Sequence, residues 1–152
     1  MHLSEFPGFF RVSLLAIDKA GRDPRLSMWV GAAIVRGGAV IGTGANKLGM
    51  NAYTHAVWQK HRPGCFSIHA EIDALFRVRK KTDLRGCRMY VMRITRAGDA
   101  AMARPCGMCM DALGRYGFSD VVYTVDSNTW ATEVVPAPLW SKKSGKIRRS
   151  AR

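Results

Sequence analysis

Long apolar runs are missing from this chain: a stretch such as Val30-Gly-Ala-Ala-Ile-Val35 is far short of the roughly 20 residues a membrane span needs. Glu5 breaks up the N-terminal segment before a signal-like stretch could develop, so a cytoplasmic protein without a membrane partner is expected. Cysteine is sparse. Four thiols without a secretory signal point to metal ligands, catalytic groups or buried small hydrophobes, not to a disulfide framework. A second Cys-x-x-Cys is absent, which excludes a structural zinc ribbon. No internal repeat is visible. Acidic residues are few as well: 11 Asp plus Glu against 24 Lys plus Arg leave a formal charge of +13, so the surface should draw polyanions or phosphorylated substrates.

What is present describes one globular domain. Hydrophobic residues make up 47%, charged residues 23% and aromatics 9% of 152 residues, which places the chain among neither disordered nor fibrous proteins and leaves room for one core and one active site. Phe10, Leu14 and Ile17 recur at helical spacing, with Leu15 widening the stripe, until Gly21 and Asp23-Pro24 interrupt it; a helix over 9–20 is predicted, covering a sheet. Trp29–Val35 and Ala39–Gly44 flank Gly37-Gly38, the signature of a β-hairpin. Residues 45–65 carry Tyr53, His55, Trp58 and His61 without a clean period and read as a long loop or a loop with a short helix, a type that is commonly functional. Ile68, Ile72, Leu75 and Phe76 mark a second helix running into Arg77-Val-Arg-Lys-Lys81, whose basic end suits the helix dipole. Arg88–Ile94 reads as a strand, 95–104 as a loop, Cys106–Tyr116 as a helix and Val121–Val125 as a buried strand. Helix, hairpin and two βα-type units predict a three-layer α/β/α sandwich around a mixed sheet of about five strands. Residues 1–140 form the domain in this reading. Residues 141–152, with six positive charges and almost no apolar residue, form a basic tail.

The chemistry concentrates in two short stretches. Pro105-Cys-Gly-Met-Cys109 puts two thiols at i and i+3, and a helix starting there, with proline tolerated in its first turn, presents both beside its positive end, where thiolates are favoured. Two cysteines cannot complete a tetrahedral site, so another ligand must come from His69, Cys65, Cys87 or a more distant histidine. His69-Ala-Glu71 is the strongest candidate, because it opens a helix of its own with one strand intervening before Cys106. Three protein ligands leave a fourth position for water, the catalytic pattern for zinc.

Together, His69-Ala-Glu71 followed by Pro105-Cys-Gly-Met-Cys109 resembles the zinc-dependent cytidine and deoxycytidylate deaminase superfamily. The likeness extends from Gly42-Thr-Gly-Ala-Asn46 through Asp83-Leu-Arg-Gly86 and Met89-Tyr-Val91 to Val121-Val-Tyr123, covering residues 10–125. The resemblance implies that zinc on His69, Cys106 and Cys109 activates a water that attacks the amine-bearing ring carbon, with Glu71 as the proton carrier. It further implies that the Ala70 amide contacts the base, the carbonyl of Pro105 receives the exocyclic amine and Asn46 holds the sugar. Two departures stand out, a long Asn46–Cys65 loop and the Thr95–Arg104 segment before Pro-Cys. Both flank the expected pocket and supply Lys47, Arg62 and Arg104 as candidate phosphate contacts.

The expected function is therefore hydrolytic deamination of a cytosine base in a free nucleotide, deoxycytidylate to deoxyuridylate plus ammonia, by a homo-oligomer. The alternative is a polynucleotide deaminase acting on cytosine in single-stranded DNA or RNA, or on adenosine in tRNA, motivated by the basic surface and aromatic loop. A silent zinc module that binds nucleic acid is the competitor from another class, and Glu71 argues against it, since a structural site needs no proton carrier. A thioredoxin-like use of the thiol pair is disfavoured by its late position. For His55, His61 and Cys65 a second zinc is the functional reading and ordinary loop or core residues the plain one; Tyr53, Trp58 and Phe66 are core residues or a stacking platform.

Overall fold

A computed structural model describes residues 6–49 and 67–137 of the chain. Among them, helix α1 (Phe9–Ala20) precedes the strands β1 (Trp29–Arg36), β2 (Ala39–Ala45) and β3 (Lys47–Leu48). Strand β4 (Ser67–Ile68), helix α2 (Ala70–Arg77), β5 (Arg88–Ile94) and β6 (Ala100–Ala101) follow, then helix α3 (Gly107–Arg115), β7 (Asp120–Thr124) and β8 (Trp130–Val134). The main sheet runs β2-β1-β5-β7-β8, with β6 beside β5, and β3 pairs with β4 in a small separate ribbon. All pairings are antiparallel except β5–β7. That parallel pair needs a crossover, and α3 supplies it. No helix here is long and apolar enough to cross a membrane.

Both faces of the central strands are buried, and their side chains divide by parity. Ala32 and Ile34 of β1, with Met89 and Val91 of β5, meet Ile72 and Leu75 of α2 and Leu113 of α3. Ala33, Val35, Tyr90 and Met92 turn the other way, onto Phe10 and Ile17 of α1. Three layers result, as expected. Thr124, fully buried at the end of β7, closes the seam between β5, β6 and β7: its hydroxyl donates to the Ala101 carbonyl at 2.7 Å and accepts from the Arg93 amide at 3.3 Å.

The hairpin lies where Gly37-Gly38 predicts it, with both φ values positive (55° and 80°). Several expectations need correction: Ile68, counted with the second helix, lies in β4, and Lys47–Leu48, counted with the long loop, form β3. Leu15 does not widen the buried stripe of α1 and is 65% exposed; Ser13 takes that place, because its hydroxyl donates to the Tyr90 carbonyl at 3.0 Å and Gly31 opposite lets the helix backbone approach the sheet. The second helix stops at Arg77, and Val78 is already extended, since its side chain is drawn onto the core beside Gly42. Phe76 consequently stands 52% exposed. Residues 95–104 are not wholly loop: a turn closed by the Thr95 and Asp99 backbones returns the chain as β6. Strand β8 carries no sequence signal, because as an edge strand it buries no apolar run, and although its residues alternate between exposed and half-buried, Trp130 and Val134 fall on the exposed side. The middle of the long loop, with Tyr53, His55, Trp58, His61, Arg62, Cys65 and Phe66, and the basic tail lie outside the described residues.

The close approach of α1 generates a prediction. A Cβ on Gly31 would collide with the Ser13 carbonyl, which is backbone and cannot rotate away. Gly31→Ala should therefore cost about 2–4 kcal/mol by urea unfolding. Gly107→Ala, with open space around its Cβ, should stay within about 0.5 kcal/mol of the parent.

Candidate metal centre and cleft

The sheet topology brings two helix N-termini to one point. His69 is the N-cap of α2 and Cys106 the N-cap of α3, both with extended backbones (ψ 151° and 166°), and neither cap is closed by a side-chain hydrogen bond. Their side chains face each other. Pro105 stands before the cap, outside the helix, so it sets the entry of the chain and not the first turn. Cys109 lies within that first turn, buried beneath Cys106. The helix dipoles place positive partial charge at the meeting point, a field that favours thiolates.

The distances fit one tetrahedral ion. His69 Nδ1 is 3.7 Å from Cys106 Sγ and 3.5 Å from Cys109 Sγ, and the three donor atoms all lie within 4.8 Å of one another. A nitrogen and a sulfur bound to the same zinc, at bond lengths of about 2.1 and 2.3 Å, stand about 3.6 Å apart. Two sulfurs and an imidazole also match zinc in chemical softness. Among the described residues this is the one cluster of three such donors. The thiols differ in depth. Cys106, half-buried, has its pKa pulled down to about 4, first by the hydrogen bond from Cys109 and then by His69. Cys109 gives that hydrogen bond and lies deeper, and both effects raise it.

Glu71 follows two residues after His69, is only 5% exposed, and has its carboxyl pushed up from the usual carboxylate range, chiefly by burial. A cavity of about 330 Å³ opens in front of this group. His69, Ala70, Glu71 and Cys106 form one wall, Met28, Val30 and Asn46 a second, and Met102, Ala103 and Arg104 a third. The arrangement can hold a flat polar ring against a metal with a protonatable carboxyl beside it.

The remaining expected residues divide. Asn46 lines the cavity, and its amide is anchored: Oδ1 accepts from the Val30 N–H at 2.8 Å and Nδ2 donates to the Met28 carbonyl at 2.9 Å. One N–H of the two on Nδ2 is left by those bonds. Arg104 is at the mouth, gripped by Glu133 of β8 through two hydrogen bonds of 2.8 and 2.6 Å. Lys47 is not brought to this cavity; its ammonium pairs with Asp73 at 2.7 Å and lines separate hollows. Pro105 is buried and Arg62 lies outside the described residues. Sequence reading missed Glu133 and Asp73 as partners. Glu133 lies on the unanticipated strand β8, and a lone Asp four residues after His69 gives no pairing signal.

Residues 7–125 match a family model described as the cytidine and deoxycytidylate deaminase zinc-binding region. Similar solved structures include the dCMP deaminase of the cyanophage S-TIM5 in apo form, at 19% identity and TM-score 0.52, covering 77% of this chain and 79% of that one. The same cyanophage enzyme in complex with dCMP and dUMP matches at 20% identity and TM-score 0.51, covering 76% of each chain. Cytidine deaminase from Burkholderia pseudomallei matches at 22% identity and TM-score 0.51, covering 82% and 91%. At these identities the structures share a fold. No curated protein is a significant match.

The donor geometry predicts a stoichiometry of about one zinc per chain by atomic emission. Cys106→Ala and Cys109→Ala should lose it and melt at lower temperature, because the ion ties two helix N-termini together. Full zinc occupancy in either variant would remove that cysteine from the ligand set.

Proposed function

The chain belongs to the cytidine and deoxycytidylate deaminase family, zinc-dependent hydrolytic deaminases, and from that footing we propose that it converts deoxycytidylate, as a free nucleotide, to deoxyuridylate and ammonia. The observation that carries the reading is the buried Glu71 beside the His69, Cys106 and Cys109 donors, with His69, Glu71 and Cys106 lining a cavity of about 330 Å³. His69, Cys106 and Cys109 are the proposed zinc ligands; zinc, when bound, acidifies a coordinated water to near neutrality and so supplies the nucleophile.

Everything else is work for the side chains and backbone. Glu71, whose burial holds its proton more tightly than an exposed carboxylate would, accepts a proton from the attacking water and passes it to the adjacent ring nitrogen, then takes the proton of the new C–OH and delivers it to the departing amine. The C–N bond to the exocyclic amine breaks as the C–O bond is kept, so water is consumed and ammonia released. The Ala70 backbone amide contacts the base, and the Pro105 carbonyl receives the amine. The remaining Nδ2 hydrogen of Asn46 holds the sugar. For the phosphate, Arg104 is supported by its place at the mouth, with Arg62 beside it in the proposal; Lys47, whose ammonium is spent on Asp73, has less support.

We further assign residues 1–140 to the deaminase domain and 141–152 to a basic tail, and expect a homo-oligomer in the cytoplasm, to be checked by light scattering and fractionation. A second reading, deamination of cytosine or adenosine within a polynucleotide, is favoured by one observation, the +13 charge.

Two experiments test this. Glu71→Gln should keep fold and zinc and lower deoxycytidylate turnover by about 10²–10⁴, the scale of a positioned acid/base; an undiminished rate removes Glu71 from the mechanism. Deleting residues 141–152 should leave mononucleotide turnover intact. If the tail holds a polynucleotide instead, deletion will weaken oligonucleotide binding and flatten its salt dependence, by a slope of about 0.7 for each single-strand phosphate that the tail would otherwise neutralise.

A further inference from the structure

We infer that Asp73 is a positioning residue, which fixes the corner between β2 and β3 that carries Asn46 against the helix that carries His69 and Glu71. The inference rests on the proposed reading of Asn46 as a substrate contact. Asp73 is 7% exposed, one turn into α2, and its own amide bonds the His69 carbonyl at 2.9 Å. Its carboxylate is engaged on both oxygens. Oδ2 accepts from the Ala45 N–H at 3.1 Å and meets Arg77 Nε at 3.1 Å, while Oδ1 meets Lys47 Nζ at 2.7 Å.

Ala45 and Lys47 are the two chain neighbours of Asn46, so one buried carboxylate grips the backbone on one side of that residue and the side chain on the other. From the opposite direction β1 grips Asn46 itself: its amide bonds the Val30 carbonyl at 3.0 Å, its Oδ1 accepts from the Val30 N–H, and its Nδ2 donates to the Met28 carbonyl. Asn46 thus stands between two anchors, one on the sheet and one on α2. Met28, Val30, Asn46, Ala70 and Glu71 all line the cavity, so the chain of contacts sets the spacing between its α2 wall and its β1–β2 wall. A carboxylate needed only to seat the helix could do so with the Ala45 bond alone. The additional pair with Lys47 holds the far side of Asn46, and charge-assisted bonds are the stronger and shorter kind.

The variant Asp73→Asn keeps the size and one acceptor for Ala45 but removes the charge that holds Lys47 and Arg77. The zinc-loaded full chain should still fold by circular dichroism and retain its zinc. Hydrogen exchange at the Ala45 amide and the Asn46 side-chain amide, read by NMR, should quicken by about 10-fold or more as the corner loosens. KM for deoxycytidylate should rise by about 10-fold, with kcat within about threefold, since the acid/base and the metal ligands sit on the undisturbed helix end. Unchanged exchange at both sites in a folded variant overturns the inference, as does a fall in kcat with KM constant. Should Asp73→Asn not fold, Lys47→Met, which removes one exposed arm, must move exchange and KM in the same direction by a smaller factor; no change there overturns it equally. If the parent protein does not turn over deoxycytidylate, the substrate reading fails, and exchange at Asn46 alone decides the role of Asp73.

Discussion

Everything at the cleft depends on how deeply α2 is seated on β2. Gly44 makes that depth available, because a Cβ there would run into the backbone of Ala70, Asp73 and Ala74, and Gly42 does the same for the side chain of Val78. With no side chain between them, helix and strand backbones touch. The N-terminal end of α2 then lies level with the N-terminal end of α3, and His69 reaches the thiols of Cys106 and Cys109 without a long side chain to span the gap. The parallel pairing of β5 with β7 fixes the other half of this geometry, since its crossover helix must start at the same edge of the sheet.

The electrostatics follow from burial at that junction. Two helix termini leave amide donors pointing at a site that also contains two thiols and a carboxyl. Positive partial charge there stabilises sulfur anions, while the same desolvation raises Glu71. Cys106 at the start of α3 is thereby pulled down, while the deeper Cys109 and Glu71 of α2 are both raised. Along α2, His69 caps the helix and faces the sulfurs, and Glu71 sits inside it and faces the cavity.

The sequence was most legible where a residue type had a single physical use. Gly37-Gly38 marks a turn needing positive φ, and the His-x-Glu and Cys-x-x-Cys stretches each open a helix as their spacing indicates. Alternation along β5 could not reveal which neighbours it meets, but it did mark a strand, because Tyr90 and Met92 serve one face and Met89 and Val91 the other. Legibility failed where tertiary context replaced a local preference. Leu15 follows the helical period but is exposed, whereas Ser13 is buried because a carbonyl of β5 awaits its hydroxyl. Phe76 and the basic run after it continue the helical pattern, yet Val78 leaves the helix for a place on the core. Lys47 looked like a phosphate contact from its neighbourhood in sequence, and only the fold shows that Asp73 claims it. Glu133 was invisible for a similar reason: its partner Arg104 is 29 residues away, in the segment between β6 and α3.

The short strand β6 occupies the place beside β5 that β7 vacates, pairing at Arg93 and Ile94 just beyond the last β5–β7 pair at Val91. It is an annex to the sheet, stitched on by Thr124, and the cavity wall Met102–Arg104 hangs from it. The donors on α2 and α3 belong to the fold's frame, whereas this wall belongs to a short excursion of the chain between β5 and α3. On the proposed reading, the reacting groups and this part of the cavity lining are thereby carried on separable pieces of one molecule. A lineage could lengthen, trim or rewrite the excursion and so admit a different ligand, while the reaction centre it faces is inherited intact.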